Sequence, residues 1–96
     1  MKRRTPVRAP IAPQSCRVTA ASADGVVAFR LELCGGWLHV ERSQVHHGVG
    51  RVSQSMRFED HPSFVRWCDA DRLRFSYPLL YANLKRSGRA LFCATP

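Results

Sequence analysis

Four cysteines and four histidines have the widest chemical repertoire in this chain, so nucleophilic and metal chemistry are weighed first. Cys16, Cys34, Cys68 and Cys93 stand far apart with no Cys-x-x-Cys pair, and such spacing makes no zinc ribbon. His39, His46, His47 and His61 match no standard ligand spacing, and neighbours such as His46 and His47 point different ways, so they read as exposed loop residues. A nucleophilic cysteine needs a base within hydrogen-bond reach and a third group to orient that base. Cys68 has Asp69 and Asp71 beside it, and carboxylates raise a thiol pKa; Cys34 has no histidine in a motif-like relation to it. No catalytic residue, metal site or cofactor is predicted, and the protein reads as non-enzymatic.

Two weaker constellations have structural explanations. Gly48-Val49-Gly50-Arg51 pairs glycines with an arginine, but no helix follows to supply a dipole for phosphate, so the run reads as a hairpin loop. Glu59, Asp60, Asp69 and Asp71 concentrate acid in a short stretch. Asp60 reads as a helix cap, and Asp69 and Asp71 as a helix end facing Arg66, Arg72 and Arg74, a salt-bridged surface.

The distribution of arginine is more informative. Lys2, Arg3, Arg4, Arg8 and Arg17 all precede the first acid, Asp24, so the formal net charge of +8 divides into +5 on the first seventeen residues and +3 on the rest. Thirteen of the 15 basic residues are Arg, whose planar fork suits phosphate or carboxylate, and GC-rich coding accounts equally well for that bias. Pro6, Pro10 and Pro13 remove amide donors and favour an extended, hydrated chain. Residues 1–15 are therefore predicted to be a disordered basic tail, able to neutralise phosphates and release counterions.

The remainder, residues 16–96, is predicted to form a single small α+β domain. Gly35-Gly36 lies between apolar runs and supplies the positive φ of a two-residue turn. With Cys34 opposite Trp37, Leu33 faces Leu38 and Leu31 faces Val40 on one side, while Glu32 meets His39 and Arg30 meets Glu41 on the other. Slipping by one residue mixes apolar and charged side chains on both faces, so residues 26–34 and 37–42 read as an antiparallel hairpin. A short strand is expected over 16–20. After a loop holding Val45, His46, His47, Gly48 and Gly50, residues 51–58 alternate as a third strand of the meander, with Val52, Met56 and Phe58 inward. Gln54 fits poorly, as at an edge or bulge.

Asp60-His61-Pro62 starts a helix with the apolar stripe Phe64, Trp67, Cys68. Tyr77-Pro78 opens a second, with Tyr77, Leu80, Tyr81 and Leu84 on one face; Lys85 and Arg86 suit its C-terminal dipole and Gly88 its left-handed cap. Leu91 to Cys93 then reads as a returning edge strand. The predicted architecture has two layers, an antiparallel meander of three to four strands packed on two C-terminal helices.

Length allows one domain, and 45% apolar with 23% charged residues is ordinary for a globular chain. Pro10, Pro13, Gln14 and Arg17 spoil any signal-peptide core, so the thiols read as reduced and the location as cytoplasmic, although an Arg-rich, acid-free start also fits an organelle transit peptide. No run approaches the ~20 apolar residues of a membrane span. The first functional expectation is nucleic-acid binding through Lys2, Arg3, Arg4, Arg8 and Arg17, together with a sheet face offering Trp37, His39, Arg51 and Arg57. The rival is a protein-interaction module that meets an acidic protein surface and anchors through Trp37.

Overall fold

The computed structural model describes residues 17–94. Strands β1 (Arg17–Ala21), β2 (Val27–Cys34), β3 (Trp37–His46) and β4 (Gly50–Phe58) form one antiparallel sheet in chain order; α1 (His61–Ala70), a 3₁₀ turn (Arg72–Phe75) and α2 (Pro78–Cys93) follow. The α+β meander expected from the sequence is therefore present, with four strands. The predicted tail, residues 1–15, lies outside the described residues.

Gly35 and Gly36 take φ of 61° and 85°, and the β2–β3 pairing across them matches the predicted register, from Cys34 opposite Trp37 to Arg30 opposite Glu41. Both strands continue beyond the predicted ends of the loop. Val45 and His46 belong to β3 and Gly50 to β4, so the turn itself is short, with the Val49 amide donating to the His46 carbonyl over 3.1 Å. This hairpin outruns the helical layer. Val52 consequently stays 45% exposed although it lies on the helix-facing side, where Gln44 opposite it and Arg42 opposite Gln54 continue the face as polar residues. The register through Gln54 is continuous, and it sits on an edge strand.

The helices bury the other part of that face. Val27, Phe29, Leu31, Leu38 and Val40 meet Phe64, Cys68, Leu80, Tyr81, Leu84 and Leu91 in one core, and each large apolar side chain taken fully from water contributes about 1.5–3 kcal/mol. Asp60 caps α1 by accepting from the Ser63 amide at 2.9 Å, with Pro62 in the first turn, as the sequence predicts.

At α2 the prediction fails. The helix does not end at Gly88, and Leu91 to Cys93 do not form a strand; both are helical, and Leu91 is part of the core. Gly88 is buried where α2 crosses α1, and a Cβ there would lie 2.6 Å from the Phe64 ring. Its missing side chain serves close approach between helices and not a left-handed cap.

Candidate nucleic-acid interface

Alternation that sends one set of side chains to the core sends the other to the opposite face of the sheet, where the register aligns them in transverse rows. Cys34 and Trp37 make the first row. Arg17, Glu32, His39 and Arg57 make the second, one residue from each strand. In the third, Thr19, Arg30, Glu41 and Ser55 align. All of these side chains are exposed or half-buried. An open depression of about 630 Å³ lies over the second and third rows, floored by Arg30, Glu32, His39, Glu41 and Arg57 and bordered by Cys34.

At its rim the Arg57 guanidinium stands 4.8 Å from the centroid of the Trp37 ring, a cation–π contact, and Trp37 keeps 38% of its surface in solvent. The carboxylates in the floor are held by ion pairs. Arg30 Nη2 meets Glu41 Oε1 at 2.8 Å, as the register anticipates. Glu32 does not bond its predicted neighbour His39; Arg17 Nη2 reaches its Oε2 from β1 at 3.4 Å.

Of the predicted binding residues, Trp37, His39, Arg57 and Arg17 therefore converge on one end of the outer face. Arg51 lies on the same face but near the far hairpin, where it donates to Ser43 Oγ at 2.8 Å and the Gly25 carbonyl at 3.2 Å. Lys2, Arg3, Arg4 and Arg8 lie outside the described residues. Arg30, Glu32 and Glu41 were not among the predicted site residues, although period-two counting from Trp37 and Cys34 places all three on the same face.

The remaining reactive groups have structural partners. Burial pushes the Cys68 thiol up to about 12, so at neutral pH it is a protonated core residue. Asp69 bridges Lys85 at 2.8 Å and Asp71 bridges Arg42 at 2.6 Å, instead of the predicted Arg66, Arg72 and Arg74. The Tyr81 hydroxyl donates to the same Asp71 oxygen, Arg42 also donates to Gln54 at 2.7 Å and lies 5.4 Å from the Trp67 ring, and burial first, then the bond to Asp71, raises the Tyr81 phenol pKa. This latch joins β3 to both helices. His46 ends β3, His47 occupies the turn, and His61 Nε2 sits 3.2 Å from the Lys85 carbonyl, so the histidines are dispersed. Among the described residues no three His, Cys, Asp or Glu side chains gather as a metal site, and no helix is long and apolar enough to cross a membrane.

No family model, curated protein or solved structure matches this chain.

Proposed function

We propose that this protein is a non-enzymatic nucleic-acid-binding protein of a reducing, cytoplasmic compartment, which holds single strands on the outer face of its sheet while the basic residues before Asp24 add charge attraction. The observation that carries this reading is the exposed Trp37 indole, stacked with Arg57 beside the depression. Aromatic and guanidinium planes on an open sheet are what unpaired bases stack upon. Dimensions favour single strands over duplex. Four strands at ~4.8 Å spacing span ~14 Å before side chains are added, against a major groove ~12 Å wide.

Anisotropy titrations with labelled single- and double-stranded oligonucleotides at low salt test it. Single strands bind more tightly, and Trp37→Ala weakens them about tenfold, given ~1–3 kcal/mol per stacked base. Equal affinity after Trp37→Ala, or no retention of any nucleic acid at low salt, refutes the proposal.

One observation supports the rival, a module that binds an acidic protein surface. Phe75, ending the 3₁₀ turn, and Leu79, in the first turn of α2, are 73% and 80% exposed, with Arg74 4.0 Å over the Phe75 ring. A Phe75→Ser/Leu79→Ser variant that keeps oligonucleotide affinity but loses a protein partner favours that reading.

A further inference from the structure

A polyanion should avoid carboxylates, yet Glu32 and Glu41 form part of the floor of the depression. The two differ. Both ion pairs are exposed to a similar degree, but Glu41 is closely matched by Arg30 at 2.8 Å, whereas the Arg17–Glu32 pair is long at 3.4 Å. Such a pair contributes little and yields readily to a better donor. An ionised carboxylate only accepts hydrogen bonds, so Glu32 suits a ligand group that presents donors.

Position narrows the ligand further. Glu32 lies diagonally across the β2–β3 hairpin from Trp37, since Cys34 opposes Trp37 and Glu32 opposes His39. Diagonal partners are separated by ~7–8 Å, within reach of the edge of a base whose plane stacks at Trp37 and Arg57. Guanine presents two adjacent donors on its Watson–Crick edge, N1–H and the N2 amino group, matching the two carboxylate oxygens. Uracil offers one donor between two acceptors; adenine and cytosine offer one amino group beside an acceptor.

We propose that Glu32 reads the Watson–Crick edge of a guanine stacked at Trp37 and Arg57, so that the outer sheet face prefers single strands containing guanine. The inference rests on the nucleic-acid reading above and specifies its base preference.

Replacing guanine by inosine in an otherwise uridine strand removes only the N2 amino group, and that substitution is the probe. The intact protein is expected to bind the guanine strand about tenfold more tightly than the inosine strand, within the range of one bidentate base contact. Glu32→Gln, an isosteric change at an exposed position, abolishes the difference while all-uridine binding persists or strengthens. Glu41→Gln preserves the difference. Identical affinities for guanine and inosine strands, or a difference that survives Glu32→Gln in a variant of unchanged circular dichroism, overturn the assignment and leave single-strand binding intact. Failure to bind any single strand removes the functional proposal itself.

Discussion

Asp24 gathers three donors: the Ser22 hydroxyl at 2.6 Å and the Val26 amide at 3.0 Å, which close the β1–β2 loop, and the Tyr77 hydroxyl at 2.9 Å, which holds that loop against the start of α2. These bonds, that of Ser22 foremost, hold its carboxyl below the usual 3.8, and the bond to Asp24 lifts the Tyr77 phenol above its usual 10.0. The signs define a window. Asp24, lowered on folding, contributes above 3.8 and loses that contribution as pH falls through its folded value; Tyr77, raised on folding, contributes below 10.0 and loses it as pH rises through its own. Tyr77→Phe should therefore lower Tm across neutral pH, with the deficit shrinking at both extremes, measured by thermal melts followed by circular dichroism. A deficit independent of pH excludes this linkage. The long-range bonds were not legible from local pattern, because Asp24 and Tyr77 are 53 positions apart and Arg42 and Asp71 are 29 apart. Trp37, His39 and Arg57 were legible because hairpin register is set by neighbours along the chain.

Gly88 shows why element boundaries are harder to read than element faces. Glycine after Lys85 and Arg86 satisfies the rule for a helix end, and it equally satisfies the need for two helices to touch. Sequence alone does not separate these, whereas the buried stripes Phe64, Cys68 and Leu80, Tyr81, Leu84 follow directly from periodicity. Gly88→Ala decides between the two roles. Alanine in a helix interior gains ~1 kcal/mol over glycine. Against that, the new Cβ lies 2.6 Å and 2.8 Å from two atoms of the Phe64 ring, which is fully buried and packed against Phe58 and Trp67. Overpacking of this kind costs about 1–3 kcal/mol, so the net change is a destabilisation of up to ~2 kcal/mol, as read from urea unfolding. A stabilised variant would show that the helices separate without cost.

For the whole molecule, charge and shape are distributed over different segments. Residues 17–94 carry eleven Lys and Arg against seven acids, and the other four charges of the +8 are Lys2, Arg3, Arg4 and Arg8. On the outer face the two acids of the depression offset Arg30 and either Arg17 or Arg57, so on the proposed reading the sheet would supply stacking and edge contacts with little net field. Affinity that depends on salt must then come largely from the first sixteen residues, and affinity that does not must come from the sheet. Removing residues 1–15 takes away four cations, which at ~0.7 counterions per phosphate on single strands lowers the log–log salt slope by ~3. On the proposed reading, full-length and shortened proteins should thus differ most at low salt and converge as salt rises, where Trp37 and Arg57 would still hold the strand. Anisotropy titrations over a range of salt concentrations measure both slopes. An unchanged slope after deletion would assign the electrostatic contacts to arginines of the folded body, with Arg51 and Arg57, the two cations on the open edge strand β4, the first to test.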